Sequence, residues 1–278
     1  MISLVQTSRN RRFELKRFLD TLNAQVGIDF KDIQLIFIDQ GDNRDIFREI
    51  NSEIDFEYIK TAPCSLSKAR NIGLKYVKGE YVGFPDDDCW YEPDTLSKVF
   101  SLLHSKYDGV VCYGSDENNN PTNSFAQYSQ KISKYNHCGA ISYTIFLKFI
   151  KELSFDENLG VGSSHKFLSG EETDYLIKFL EKSSSDVFYS RDICVHHPLA
   201  KSDYFDSETK KAYYYARGRG YLLRKHSYPF ILIFKALCRP VGGIILYTIC
   251  LKIAKANRSW NILKGRFEGY IDSKRFFK

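Results

Sequence analysis

The seven cysteines of this 278-residue chain include no CxxC pair. Their odd number and scattered positions (64, 89, 112, 138, 194, 238 and 250) argue against a disulfide framework and a zinc knot. Proline is scarce, at 7 residues, while 15% of the chain is aromatic; a disordered protein has the opposite balance. Internal repeats are lacking. So is a charged segment leading into an apolar one at the start, where the chain runs directly into "ISLVQTS". The expected compartment is therefore a reducing cytoplasm. What is present is 43% apolar residues, enough for a full core in one large domain or one domain plus an appendage.

The formal charge of +6 hides an asymmetry. Residues 1–200 carry 23 Lys and Arg against 29 Asp and Glu, whereas residues 201–278 carry 17 against 5. The basic character belongs to the tail, and anionic lipid and nucleic acid are both candidates for what it faces.

Apolar runs of strand length occur at 2–6, 33–38, 56–59, 80–84 and 109–112. Between them lie stretches with helical spacing: Leu15/Phe18/Leu19/Leu22, Leu66/Ala69/Ile72/Leu74 and Leu96/Val99/Phe100/Leu103. Strands alternating with helices predict a mostly parallel, Rossmann-like sheet flanked by helices. In such sheets ligands sit beyond the carboxyl ends of the strands. The polar residues after each strand, "TSRN" (7–10), "DQGD" (39–42) and "PDDD" (85–88), are thus candidates. "CGAISYTIFLKFI", from about 137, reads as a strand or turn entering a helix. The Gly/Ser-rich loop 160–170, with Gly160 and Gly162 free to close over a ligand, feeds a helix with Tyr175, Leu176, Phe179 and Leu180 on one face.

Three consecutive carboxylates, Asp86, Asp87 and Asp88, repel one another unless a cation neutralises them, and hard oxygen ligands suit Mg2+ or Mn2+. The plainer reading is a solvated acidic turn. "SGEETDYL" crowds Glu171, Glu172 and Asp174 into a helical first turn, where acids also complement the helix dipole. Lys68 and Arg70 in "SLSKARNIG" could meet an anionic ligand or simply face solvent. His196 and His197, ahead of Pro198, offer a metal ligand.

The ordered series "VQTSRN", "IDQGD", "LSKARNIGLKYVKGEYVGFPDDDCWYEPDTL", "FDENLGVG", "SGEETDYL" and "VHHP" resembles the family 2 glycosyltransferases of the GT-A fold, over residues 2–198. That resemblance implies an inverting transferase of hexosyl or N-acetylhexosaminyl groups, of the bacterial cell-surface polysaccharide type. Its donor would be a nucleotide-diphosphate sugar, most simply a UDP-sugar. By the same resemblance Asp39 would bind the uracil N3–H, Thr7 and Arg9 would flank the nucleoside, and Lys68 and Arg70 would approach the ribose and phosphates. Asp86, Asp87 and Asp88 occupy the DXD position; Asp88 would hold Mn2+ or Mg2+ directly, and Asp86 or Asp87 would hold ribose or a bound water. Asp86 and His197 are the further metal candidates, with His196 as the alternative histidine. Glu172 would be the catalytic base, in a place where the family more often has Asp.

The expected domains are a GT-A catalytic domain at 1–200 and a basic, apolar helical extension at 201–278. The extension opens with Tyr204, Phe205, Tyr213, Tyr214, Tyr215 and Tyr221 interleaved with cations. Residues 229–251 are apolar but interrupted by Lys235, Arg239 and Pro240. A central charge costs about 2.5–3.5 kcal/mol on insertion scales, so the expectation is a helix lying on anionic lipid rather than spanning it. Packing of that face on the catalytic domain is the competing reading; nucleic acid does not suit so long an apolar stretch. The implied partners are a nucleotide sugar, a saccharide or lipid-linked saccharide acceptor for capsule or O-antigen, and the cytoplasmic face of the membrane. A sugar-phosphate nucleotidyltransferase is disfavoured because no Gly-rich phosphate loop with a Lys follows the first strand. A non-catalytic membrane-bound scaffold is the remaining alternative.

Overall fold

Apolar runs with no polar face have to be covered on both sides. β1 (Ile2–Ser8) has six of its seven residues buried and β2 (Ile33–Asp39) all seven. β3 (Asp55–Lys60), outside β2, has no fully buried residue and forms an edge. The computed structural model describes residues 1–182, 186–199 and 206–277. The expected boundary at 200 and the aromatics Tyr204 and Phe205 lie outside the described residues.

The remaining strands are β4 (Tyr81–Gly83), β5 (Trp90–Tyr91), β6 (Gly109–Ser115), β7 (Gln130–Lys131), β8 (Ile145–Lys148) and β9 (Val187–His196). They form one sheet in the order β3-β2-β1-β4-β8-β6-β9-β5, with β7 also on β9. The pairs β2–β3, β1–β2 and β1–β4 are parallel. β8 then runs antiparallel to both β4 and β6, while β6 and β9 are parallel again. The sheet is therefore mixed beyond β4. Its reversed member is the segment expected to enter a helix: "SYT" (142–144) makes a single 3-10 turn, and "IFLK" is an inserted strand with no helix after it. Three of its four residues are buried, which a strand between two others achieves with no helical face.

α1 (Arg12–Asn23) buries Leu15, Phe18, Leu19 and Leu22, and α3 (Thr95–Ser105) buries Leu96, Val99 and Leu103. Both helices join one core with Ile2, Leu4, Leu35 and Phe37. α2 (Leu66–Leu74) follows β3.

The chain divides into two compact units: Met1–Cys64, Lys68–Ser154 and Tyr175–Ala200 in the first, and Ser65–Ser67, Phe155–Asp174 and Lys201–Lys278 in the second. α4 (Glu171–Lys182) is shared between them, and α5 (Asp206–Lys225), α6 (Phe230–Ile249) and α7 (Ile253–Asp272) belong to the second. The second unit thus takes in residues 155–174, which the sequence places with the catalytic domain. The reason is a small apolar cluster of Leu159, Phe167, Tyr221 and Leu222, together with ion pairs from Lys225 to Asp156 at 2.6 Å and to Asp174 at 2.8 Å. α5 and α7 approach closely through glycine; a Cβ at Gly265 or Gly269 would lie 2.3 or 2.2 Å from a carbonyl oxygen of α5.

Candidate active site

β1 and β4 are adjacent and parallel, so the residues that follow them emerge at the same edge of the sheet. Ser8 closes β1, the aspartates follow β4, and Ser142 sits in the turn that enters antiparallel β8. His197 follows β9 at the same edge, its N–H donating to Ser115 O at 2.9 Å.

Each of the three carboxylates has its own partners, which is how three like charges fit in sequence. Asp86 accepts from Arg70 Nη2 at 2.8 Å and from Ser142 Oγ at 3.1 Å. Asp87 accepts from Ser8 Oγ at 2.6 Å and lies 3.5 Å from Arg11 Nη1. Asp88 pairs with His197 Nε2 at 2.9 Å and with the Arg11 guanidinium. Burial pushes the Asp87 carboxyl up to about 6, only partly opposed by Ser8 and Arg11, with Asp88 and Asp86 adding repulsion. Burial acts on Asp88 in the same sense, but hydrogen bonding and charge from His197 outweigh it, and its carboxyl lies below the usual range. Burial lowers His197 and the Asp88 carboxylate raises it; the net shift is upward.

One oxygen or nitrogen each from Asp86, Asp88 and His197 lies within 4.8 Å of the others. Two hard carboxylates and one imidazole form a donor set that accepts Mn2+ and, less well, Mg2+. Two observations favour the fit. The His197 ring sets its Nδ1 2.7 Å from Pro198 O and stacks on Tyr143 at 4.6 Å, which fixes Nε2 toward Asp88 as the outer partners of metal-binding histidines do. Arg11, half-exposed, lays its cation over Asp87 and Asp88 where a divalent ion would neutralise them. His196 faces away from this group, 3.3 Å from Glu92 and 3.1 Å from Ser115, so His197 is the histidine the structure brings to the aspartates.

Other expected residues fall differently. Asp39 is fully buried, and its carboxylate accepts from Gly41 N, Asn43 N and Asn43 Nδ2 at 2.8 Å each and from Tyr58 OH at 2.7 Å. Burial raises its pKa, but these bonds prevail and hold it low. It shapes the loop 40–43, and a uracil N3–H would have to displace one of those donors. Arg70 is 1% exposed and its guanidinium binds Asp86, so it positions a carboxylate rather than reaching outward. Thr7 donates to Ile38 O at 3.2 Å and accepts from Gln40 Nε2 at 3.0 Å. Arg9 and Lys68 are exposed. Glu172 lies in the second unit, second in α4, half-buried, its Oε1 accepting from Thr173 Oγ1 at 3.2 Å. Its neighbours Glu171 and Asp174 are buried, and Asp174 is held by Lys225 and by His226 at 2.8 Å. Glu172 is thus the most open acid of that first turn.

A family model described as glycosyl transferase family 2 matches residues 3–169. The chain belongs to that family. Glycosyltransferase GlyA of Streptococcus pneumoniae is 33% identical over 106 residues, which cover 36% of this chain and 14% of GlyA's length. TarS 1-349 of S. aureus, solved in complex with UDP, shares the fold with a TM-score of 0.57 at 14% identity, covering 100% of this chain and 92% of that one. Mannosyltransferase PcManGT of Pyrobaculum calidifontis, solved with GDP-Man and Mn2+, aligns with a TM-score of 0.62 at 13% identity, covering 100% and 88%. These likenesses show the fold, a mixed sheet with flanking helices in the GT-A arrangement.

Ser8 falls within the candidate stretch "TSRN" without a role of its own, and Arg11, Ser142 and Tyr143 are not singled out by the sequence. Arg11 is one basic residue in the run "RNRR", and nothing in its spacing distinguishes it from Arg9.

Proposed function

We propose that the chain is a metal-dependent, inverting glycosyltransferase that moves a sugar from a nucleotide diphosphate, a UDP-sugar, to a hydroxyl of a saccharide or lipid-linked saccharide in surface polysaccharide synthesis. The observation that carries this reading is the convergence of Asp86, Asp88 and His197, all after the carboxyl ends of strands, in a chain of this family. Asp86, Asp88 and His197 would hold Mn2+ or Mg2+. Such an ion supplies charge for the departing diphosphate without a proton. Ser8 and Arg70 hold Asp87 and Asp86 in place, and Tyr143 fixes the imidazole plane. An acceptor hydroxyl is a poor nucleophile at neutral pH, and Glu172 takes its proton as the new bond to the anomeric carbon forms. Attack opposite the leaving group inverts that carbon.

The donor is tested by thermal shift with UDP-sugars, GDP-Man and Mn2+, since a matched ligand raises the melting point. A shift with UDP-sugars that needs Mn2+, followed by UDP release on adding acceptor, is the expected result. A shift with GDP-Man alone would replace the base assignment, and pyrophosphate release from a nucleoside triphosphate would replace the reaction class.

The extension suits a membrane-borne acceptor. α6 has a mean hydropathy of 1.7 and is the one helix among the described residues long and apolar enough to cross a membrane. Ile231, Phe234, Val241, Ile245 and Ile249 are exposed at helical spacing, and Leu251 and Ile253 follow at 83% and 63% exposure. Lys235 and Arg239 interrupt this stripe, and Lys252 and Lys255 follow it. Apolar residues facing outward among cations favour an in-plane seat on an anionic bilayer, on the cytoplasmic face.

A further inference from the structure

β9 turns a second group of donors toward a point distinct from the aspartates. The register of β9 on β6 slips between Cys112, opposite Ser190, and Tyr113, opposite Cys194. That bulge re-aims the end of the strand. Beyond it Cys194 and His196, two residues apart, share one face, with Ser115 of β6 opposite His196. On the other side β5 pairs antiparallel, Trp90 with His196 and Tyr91 with Val195, and continuing that register sets Glu92 across from Cys194.

The side chains close the group. His196 Nε2 lies 3.3 Å from Glu92 Oε1, and His196 Nδ1 lies 4.0 Å from Cys194 Sγ. Ser115 Oγ lies 3.2 Å from that sulfur and 3.1 Å from Nδ1. One ligand atom each from Glu92, Cys194 and His196 falls within 4.8 Å of the others. The imidazole stacks on Trp90 with ring centroids 5.3 Å apart, and Thr95 Oγ1 donates to Cys194 O at 3.0 Å, so ring and backbone are both held. Glu92 faces Nε2 while Cys194 faces Nδ1, so a single ion on one ring nitrogen requires the 41% exposed Glu92 side chain to change rotamer.

We propose that Glu92, Cys194 and His196 form a second metal site, selective for a borderline-soft divalent cation of the Zn2+ class, with water as a fourth ligand. One thiolate, one imidazole and one carboxylate is a set that hard Mg2+ and Mn2+ satisfy poorly and Zn2+ or Co2+ satisfies well. Binding deprotonates the Cys194 thiol, and that proton goes to solvent. The site bridges β5 and β9. Glu92 is four residues after Asp88, and His196 adjoins His197, so occupancy ties together the two segments that carry the Asp88–His197 pair. Glu92 lies about a hundred positions before Cys194 and His196, and the group holds a single cysteine, which is why a search for CxxC spacing misses it.

Cobalt titration of the reduced full chain tests this. The expected result is an intense thiolate-to-cobalt charge-transfer absorption that saturates at one thiolate-bound cobalt per chain, separate from any cobalt taken by the Asp86, Asp88 and His197 group, and that Zn2+ displaces. Cys194→Ser abolishes the band, and His196→Ala weakens binding by roughly tenfold or more. Cys238→Ser and Cys250→Ser leave it intact, as does Asp88→Asn, which separates this site from the proposed donor site. Absence of the band at saturating cobalt overturns the proposal. So does a band that survives in Cys194→Ser, or one lost in Cys238→Ser or Cys250→Ser.

Discussion

At the scale of single residues, the carboxylates of 86–88 differ more than their adjacency suggests. Asp86 is pinned by Arg70 and Ser142, Asp88 is drawn to His197, and Asp87 is the one that burial keeps partly protonated near pH 6. A carboxyl raised from an unfolded value near 4 disfavours folding once it ionises. Asp87→Asn should therefore stabilise the metal-free protein at pH 7, by on the order of 1 kcal/mol. The advantage should shrink as the pH falls through 6 and vanish only below the unfolded value near 4, where wild-type Asp87 is protonated in both states. Denaturant melts of both proteins in chelator at pH 4, 5.5 and 7 check it; a gap that widens toward acid contradicts the assignment. For Asp88→Asn and His197→Ala, turnover should fall by about a hundredfold or more with the fold intact, since each alters a residue proposed to hold the metal. The Asp triplet was legible in the sequence because three carboxylates stand together directly after an apolar run. The burial of Arg70 and the saturation of Asp39 were not, because a side chain's partners depend on strand order, which adjacency in sequence does not encode.

Elements carry the next set of effects. Lys225, in the last turn of α5, meets Asp156 and Asp174, and Tyr221 OH adds a bond to Asp156 at 2.7 Å. Burial raises the Asp156 carboxyl, but Lys225 and Tyr221 hold it below the usual range. That depressed value contributes stability present above the unfolded pKa and lost as the pH falls through the folded one. Lys225→Met leaves two acids facing each other without their lysine and should cost about 3 kcal/mol, read as a drop in denaturant midpoint. An unchanged midpoint would show that the clamp is idle. Gly160 sits at φ +93°, and a Cβ there would lie 2.9 Å from Ser67 Oγ; Gly160→Ala should destabilise the same loop. The strands at 2–6, 33–38 and 109–112 could be read directly because central strands are continuously apolar. The strand or turn read from about 137 is there, but the helix expected to follow it is not, because "YTIFLKFI" has no period that separates a short buried strand from a helix start. On α6, Phe234→Glu with Ile245→Glu should abolish sedimentation with phosphatidylglycerol vesicles while leaving the melting point within about a degree, since both side chains are exposed. Wild-type binding to neutral phosphatidylcholine vesicles equal to that on anionic ones would remove the electrostatic part of the account.

For the whole molecule, charge is partitioned along the chain: a first stretch with excess acid and a tail with excess base. That asymmetry was plain from composition, and in the proposed function the basic tail is the part that meets an anionic surface. The assignment of residues 155–174 to the second unit was not plain. Leu159 and Phe167 find their partners Tyr221 and Leu222 more than fifty residues later, and no local pattern signals so distant a contact. The reach from sequence to function is correspondingly uneven. Motif order identified the family, whereas the second donor group at Glu92, Cys194 and His196 emerged only once β5 and β9 were paired.

The central claim is that Asp86, Asp88 and His197 seat a divalent ion that grips a nucleotide diphosphate. Paramagnetic resonance of Mn2+ titrated into the chain with and without UDP tests it most directly. The account predicts one tight Mn2+ per chain, with affinity raised by UDP and lost in Asp88→Asn. Mn2+ binding that is unchanged in Asp88→Asn, or indifferent to UDP, would contradict it.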